Sequence, residues 1–255
     1  MKTNIKSGFR SLAILAIVLF LPTFLFAQAP AIERGDTLPN TEVRKSSPVT
    51  VSLGADLVNQ YIWRGQDLGN VSLQPTLGIE WKGLSLSTWG SVGISNWLDT
   101  KELDFTLSYT IKGFSVGITD YWFSKGSYFK YRNGKTTHIW EGFVGYDFGF
   151  LALNWYTNFA GDDGTNANGK RAFSSYFEIS APFRLGGLDW SATLGAVPWQ
   201  TTSYGTNGFC VTNVSLRATK DFLIKERYHL PVFVGLTDNP RSEKLYLLFG
   251  LSFSI

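Results

Sequence analysis

Charged side chains recur along this chain in phase with glycine, serine and threonine, and out of phase with the apolar residues. Alternate residues of a β-strand share one face, so these charges share a small, polar face. Such a face can filter ions where it lines an aqueous passage, or its charges can be hydrated or paired and hold the shape of the protein. Acids outnumber bases in the set, which predicts a modest preference for cations. The candidates for a constriction are Arg64, Glu102, Asp104, Glu141, Glu178 and Arg217, and the remaining acids are Asp56, Glu80, Asp147 and Asp189.

Large aromatic residues occupy some positions of the same face. Tyr121, Tyr156 and Tyr176 are the main examples. They are expected to narrow a passage, or alternatively to offer a stacking surface to a sugar or a nucleoside. The small residues around them are expected to leave room for water.

Residues typical of a hydrolytic enzyme are sparse. The chain has two histidines, His138 and His229, and no serine is spaced to partner either of them in a nucleophile motif. The segment "GDDGTNANG" lacks the ligand spacing of a calcium loop. The sequence therefore predicts no catalytic residue, no cofactor, no metal site and no nucleic-acid partner.

The elements that position these residues are strands. From residue 49 onward, apolar residues alternate with polar ones, which indicates β-structure. A break of phase between Leu86 and Trp89 predicts a bulge in the third strand. Twelve strands are predicted, at 49–57, 71–81, 84–94, 103–111, 114–122, 138–148, 151–159, 173–183, 188–196, 210–218, 230–236 and 244–255.

The connections alternate between tight turns such as "KG" and longer loops such as "SKGSYFKYRNGK", with "DFLIKERYH" as a longer connection on the short-turn side. This alternation is typical of an outer-membrane β-barrel. Aromatic residues near strand ends, including Tyr61 and Trp63 near the long loops, are expected to form girdles at the two membrane interfaces. A soluble lipocalin-like barrel or a β-sandwich also alternates, but usually has fewer or shorter strands.

The last strand, "KLYLLFGLSFSI", alternates to the final residue. Backbone groups in lipid must all be paired, so the sheet must close and the last strand must pair with the first. A C-terminal strand of this kind is also expected to be recognised by the barrel-assembly machinery. The predicted partners are therefore that machinery, outer-membrane lipid and small hydrophilic solutes.

The N-terminal region has the form of a secretory signal peptide. Lys2, Lys6 and Arg10 precede an apolar run that ends at "FAQA". The predicted organisation is a signal peptide at 1–27, a flexible periplasmic leader at 28–48 and a transmembrane β-barrel at 49–255. Export to the outer membrane of a Gram-negative bacterium follows from this organisation.

The stretch "NQYIWRGQDLGNVSLQPTLGIEWKGLSLSTWGSVG" resembles the opening of the TorF-like porin family. Tyr61, Arg64 and Gly65 match the Tyr-x-x-Arg-Gly part of its first-strand motif, whereas Asn59 and Gln60 depart from the Ser-Asp pair that precedes it. The resemblance covers about a third of the chain. It implies a porin-like barrel and names no solute.

Together these features predict an all-β, twelve-stranded antiparallel barrel that acts as a passive diffusion channel for small hydrophilic solutes. Arg64 is expected at the end of the first strand, facing Glu102, Asp104 and Glu141 across the lumen. Two alternatives remain: an outer-membrane enzyme acting on lipid or peptide at the rim, and a structural barrel with a plugged lumen.

Overall fold

The computed structural model describes residues 49–254 except residues 97, 125, 133, 226 and 227. The predicted signal peptide and leader lie outside these residues. No helix in the ranges just given is long and apolar enough to cross a membrane. The strands are β1 (Val49–Val58), β2 (Tyr61–Trp63), β3 (Gln66–Gly69), β4 (Ser72–Trp81), β5 (Leu84–Gly93), β6 (Glu102–Ile111), β7 (Phe114–Phe123), β8 (His138–Asp147), β9 (Ala152–Gly161), β10 (Ser175–Leu185), β11 (Leu188–Val197), β12 (Cys210–Ile224), β13 (Tyr228–Asn239) and β14 (Lys244–Ser254).

Twelve of these strands form a closed antiparallel barrel, and β2 and β3 form a separate two-stranded sheet. Each barrel strand pairs with its neighbours in chain order, and β4 follows β1. The barrel closes where β1 pairs with β14, over five residue pairs from Gly54↔Ser254 to Val58↔Gly250. The prediction of a twelve-stranded barrel sealed by its last strand is confirmed.

The outer face of the barrel is apolar. Large side chains such as Val51, Leu107 and Leu247 are exposed at alternate positions of their strands. Period-two alternation places all of them on one face of the sheet. The opposite face lines the lumen, and its residues are most buried toward the end of the barrel that carries the longer loops. We call this the loop end, and the opposite end the turn end.

Three lumen glycines make room for aromatic rings rather than for water. A Cβ at Gly117 would overlap the ring of Phe143, a Cβ at Gly195 would overlap Tyr176, and a Cβ at Gly250 would overlap Phe233. The expectation that these small residues leave aqueous space is therefore wrong at all three positions. Small and large side chains alternate across neighbouring strands, as they do in the interiors of small barrels.

Two local predictions are also corrected. The register of β5 does not shift against β4 or β6, so the predicted bulge is absent from this strand. Trp89 lies in the lumen, with its ring centre 5.4 Å from that of Tyr61. The segment predicted as a long connection after residue 218 continues β12 to Ile224. Strand β13 then begins at Tyr228.

Candidate functional site in the barrel lumen

The β2–β3 hairpin folds into the lumen. Its turn residues, Arg64 and Gly65, both have positive φ angles, 51° and 79°, as a two-residue type I′ turn requires. A Cβ at position 65 would overlap the backbone carbonyl oxygen of Thr212 on β12. Glycine therefore serves both the turn and the close approach to β12. The Nδ2 atom of Asn239 donates a hydrogen bond of 2.8 Å to the carbonyl oxygen of Gly65.

The hairpin carries Arg64 to Glu141 on β8. Arg64 donates from Nη1 to Oε2 over 2.6 Å and from Nη2 to Oε1 over 2.8 Å. The side chains of both residues are buried, with 7% and 2% exposed. The hydroxyl of Tyr121 on β7 donates the third hydrogen bond to the Glu141 carboxylate, at 2.8 Å from Oε1. Two parallel bonds match the planar fork of a guanidinium to a carboxylate, so the arrangement fixes both side chains.

Aromatic rings surround the guanidinium of Arg64. Its Cζ lies 4.4 Å from the ring centre of Trp63, 4.1 Å from that of Tyr156 and 4.7 Å from that of Tyr176. Ring faces attract cations, most strongly where water is excluded. Tyr204, in the loop between β11 and β12, accepts a hydrogen bond of 2.8 Å from Nη1. Burial raises the pKa of Tyr204 to about 12 although Arg64 acts in the opposite direction, so its hydroxyl stays protonated.

Glu102 and Asp104 lie on the lumen face of β6. The hydrogen bonds of Arg64 described above go to Glu141 and Tyr204 and not to these two acids. The hydroxyl of Tyr61 donates to Oε2 of Glu102 over 2.8 Å. Both carboxyl groups are buried, and Oδ1 of Asp104 accepts no hydrogen bond within the described part of the chain. Glu102 thus holds the base of the hairpin, whereas Glu141 holds its tip.

Glu178 and Arg217 lie on the lumen face farther toward the turn end. Glu178 accepts a hydrogen bond of 3.1 Å from the Tyr176 hydroxyl, which also accepts one of 3.1 Å from Asn213. The guanidinium of Arg217 lies 3.5 Å from the ring centre of Phe233. Glu178 is therefore linked to the aromatic surroundings of Arg64 through Tyr176.

Two cavities lie on either side of the hairpin tip. The loop-side cavity has a volume of about 350 Å³, and Trp63, Tyr204, Asp162 and Asp163 are among its lining residues. The turn-side cavity has a volume of about 290 Å³ and is lined by Arg64, Arg217 and Phe233, among others. Because Trp63 borders one cavity and Arg64 the other, the layer that Arg64 forms with Glu141 separates them.

The predicted placement of Arg64 is wrong in one respect. Strand β1 ends at Val58, and the inward hairpin brings Arg64 into contact with Glu141 instead of leaving the two charges apart across open lumen. Tyr61 and Trp63 are likewise absent from the interface girdle, because the same hairpin turns them into the lumen. The predicted lumen tyrosines 121, 156 and 176 all lie at the site.

The sequence prediction missed the roles of Trp63 and Tyr204. The signal for the hairpin is the dipeptide "RG", which has the form of the "KG" turns at 82–83 and 112–113. Those lysine and glycine residues have similar positive φ angles, 50° and 86° in the first turn and 48° and 83° in the second. Tyr204 sits in an irregular loop, where the sequence offers no periodic signal.

His138 occupies a separate position on the outer face near the loop end. It is fully buried, because the loop between β7 and β8 covers it with Tyr128 and Tyr131. Its Nδ1 lies 2.8 Å from Oδ1 of Asp120, and its Nε2 lies 2.6 Å from the carbonyl oxygen of Tyr128. Both ring nitrogens are engaged, so the imidazole is positioned to hold a loop and not to act as a base.

No cluster of three or more histidine, cysteine, aspartate or glutamate residues with metal-binding geometry occurs within 49–254 outside the five omitted positions. No family model and no curated protein matches the chain. Among solved structures, the Salmonella typhi OmpF complex with daunomycin is similar at 10% identity and a TM-score of 0.36, over 81% of this chain and 97% of that one. The NanC porin in a rhombohedral crystal form is similar at 9% identity and a TM-score of 0.46, over 81% and 99%. These likenesses concern the fold, which the strand pairing described above establishes for this chain.

Proposed function

We propose that this protein is an outer-membrane channel for passive diffusion of small hydrophilic solutes, with a modest preference for cations. It belongs by this proposal with the TorF-like porins. A signal peptide at 1–27 exports the chain, and the barrel-assembly machinery inserts it through β14. The barrel is not an enzyme in this proposal, and it needs no cofactor.

One observation carries the proposal: the barrel has an apolar outer face and a lumen in which a single hairpin layer separates two cavities. An apolar face on a closed barrel suits a lipid environment. Arg64 of the β2–β3 hairpin completes the layer between the two cavities by pairing with Glu141 of the wall. The size of the passage is therefore set by how that hairpin sits.

The charges of the loop-side cavity support the cation preference. Asp162 and Asp163 line this cavity, and neither Lys nor Arg lines it among the residues that the structure describes. A cation entering from the loop end thus meets carboxylates first. Arg217 in the turn-side cavity acts in the opposite direction, which keeps the preference modest.

The decisive experiment is single-channel recording in a planar lipid bilayer with native protein and a hairpin-less variant. Val58 of β1 pairs directly with Ser72 of β4. Replacing residues 60–71 by one glycine leaves Asn59-Gly as a two-residue turn between these strands, a connection that antiparallel neighbours accept readily. We expect a small conductance from the native protein and one several-fold larger from the variant. If neither protein conducts, the channel function is wrong.

A structural barrel with a plugged lumen is the second candidate. The hairpin tip approaches Thr212 on β12 and pairs with Glu141 on β8, and this favours the plugged barrel, because the hairpin then reaches across the lumen between separate parts of the wall. A silent native protein together with a conducting hairpin-less variant would support this candidate over the channel.

A further inference from the structure

Arg64 and its surroundings divide into groups that the hairpin supplies and groups that the barrel wall and one loop supply. The hairpin contributes Arg64 itself and Trp63. The barrel wall and one loop contribute everything else: Glu141 on β8, Tyr121 on β7, Tyr156 on β9, Tyr176 on β10 and Tyr204. Strands β7 to β10 are consecutive neighbours in the barrel, so strand pairing, and not the hairpin, brings the four groups of the wall together.

We call the wall and loop groups together the wall site. A carboxylate beside aromatic ring faces is an arrangement that suits a planar cation. Glu141 is 2% exposed and presents both carboxylate oxygens to the guanidinium. Without Arg64, only the Tyr121 hydroxyl would donate to it among the contacts described above. A buried carboxylate left without a cation is strongly unfavourable. Binding of a positively charged group at the vacated wall site is therefore favourable.

Shape and charge make the site specific. The rings of Tyr156 and Tyr176 lie within 5 Å of Cζ, at 4.1 and 4.7 Å, and their faces favour a flat, weakly hydrated cation. Glu178 adds a second negative charge beside Tyr176. The Tyr204 hydroxyl offers a further acceptor. A guanidinium group uses all of these features, whereas a potassium ion uses few of them.

We propose that this wall site binds solutes bearing a guanidinium group, and that Arg64 is a tethered occupant which such a solute displaces. This inference deepens the proposed channel function by naming its solute class. Solutes would reach the site from the loop-side cavity, which Trp63 and Tyr204 border and which Asp162 makes attractive to cations. Displacing Arg64 releases the hairpin from β8 and joins the two cavities.

The tether sets how strongly a free solute must compete. A group held on a short connection has an effective concentration on the order of millimolar or higher. In the native protein the solute must exceed this concentration, whereas in Arg64→Ala it binds an empty site. The variant therefore isolates the binding step from the competition.

The test measures the thermal unfolding of detergent-solubilised barrel as its heat-dependent shift in gel migration. The probe is methylguanidinium chloride at low millimolar concentration, and the control is N-methylurea, a neutral molecule of similar shape. We expect methylguanidinium to raise the unfolding temperature of Arg64→Ala but not that of the native protein. We expect N-methylurea to change neither. Glu141→Gln added to Arg64→Ala should weaken binding by about tenfold or more, because the charge-assisted bidentate bond is lost.

The hairpin-less variant provides an independent empty site if Arg64→Ala fails to fold. It should respond to methylguanidinium in the same way, and should lose the response with Glu141→Gln. Equal responses with and without Glu141, or equal effects of methylguanidinium and N-methylurea, would overturn the proposal. Since this measurement does not require conduction, it separates failure of the binding site from failure of the channel function.

Discussion

Arg64 and Glu141 form a buried, bidentate ion pair although 77 positions separate them in the chain, with Nη1–Oε2 and Nη2–Oε1 distances of 2.6 and 2.8 Å. The pair joins the tip of the β2–β3 hairpin to the wall strand β8. It thereby fixes the hairpin tip between the two lumen cavities described above.

Replacing Glu141 by glutamine should destabilise the barrel. The substitution leaves the Arg64 guanidinium buried without its counter-charge, a change that typically costs about 3–5 kcal/mol. Urea unfolding in lipid vesicles, followed by tryptophan fluorescence, measures this loss. Asp189→Asn is the matched control, since it breaks an Arg184–Asp189 pair whose side chains are 70% and 43% exposed. The control should unfold as the native protein does; equal losses in the two variants would contradict the assigned role of the buried pair.

Gly65→Ala should lift the hairpin tip from the wall. A methyl group there would overlap the Thr212 carbonyl oxygen, and the positive φ angle adds strain. We expect a larger and noisier single-channel conductance than that of the native protein. Gly169→Ala shares the positive φ angle, 68°, but its Cβ would meet no atom within 4 Å, so it controls for backbone strain alone. An unchanged conductance in Gly65→Ala would show that the tip does not limit the passage.

Deleting residues 251–255 should prevent barrel assembly. The deletion removes the partners of Gly54, Ala55, Asp56 and Leu57 and leaves one of the five β1–β14 pairs. Unpaired backbone groups in lipid each cost several kcal/mol, on the order of the whole stability of a domain when summed. Heat-modifiable gel migration reports assembly. Ser252→Ala keeps the strand and should assemble; a deleted protein that still migrates as a barrel would refute the requirement for closure.

Loops at the loop end should face the outside of the cell. In a Cys210→Ser background, a cysteine at Ala167 should react with an impermeant maleimide on whole cells, and a cysteine at Gly187 should not. Ala167 is exposed, whereas the side chain of Asn166 accepts hydrogen bonds from the backbone of Asn168 and Lys170 and is better left intact. The reverse labelling pattern would invert the proposed orientation.

Asp162→Asn should reduce the preference for cations. Asp162 is exposed in the loop-side cavity, whereas Asp163 is engaged by Asn158 and by the backbone of Gly164 and Ser174. A unit charge near a hydrated ion is worth on the order of 1 kcal/mol at high effective dielectric, enough to change permeability several-fold. The reversal potential under a KCl gradient measures the change, and strong salt should weaken it. Glu243→Gln, which removes an exposed charge that lines neither cavity, should leave the potential unchanged. An anion-selective native pore would remove the basis of the prediction.

The barrel was predictable from the sequence because lipid-facing strands impose a strict two-residue period. That period gives strand number, lumen phase and closure, and it placed Glu102, Asp104, Glu141 and the three tyrosines on the lumen face. It gives no information about a hairpin that leaves the wall. Tyr61, Trp63 and Arg64 continue the alternation after β1, so the pattern predicts a strand end near the membrane interface.

The contacts within the lumen depend on geometry that no local pattern encodes. The pairing of Arg64 with Glu141 requires the turn at Gly65 and the depth to which the hairpin reaches. Likewise, the glycines at 117, 195 and 250 are small because particular rings from neighbouring strands fill their space. Such complementarity across strands becomes visible only once the register is known.

The hairpin also crosses the joint where the barrel is sealed. Strand β1 meets β14 over five residue pairs but meets β4 over ten, so the joint is the weaker of the two seams beside β1. Asn59, at the root of the hairpin, exchanges hydrogen bonds with the backbone of Leu247 and Phe249 on β14. At the tip, Gly65 accepts a bond from Asn239 at the end of β13. The hairpin therefore links β1 to β13 and β14 through side-chain hydrogen bonds. Separating β1 from β14 requires breaking these bonds as well as the backbone pairs between the two strands.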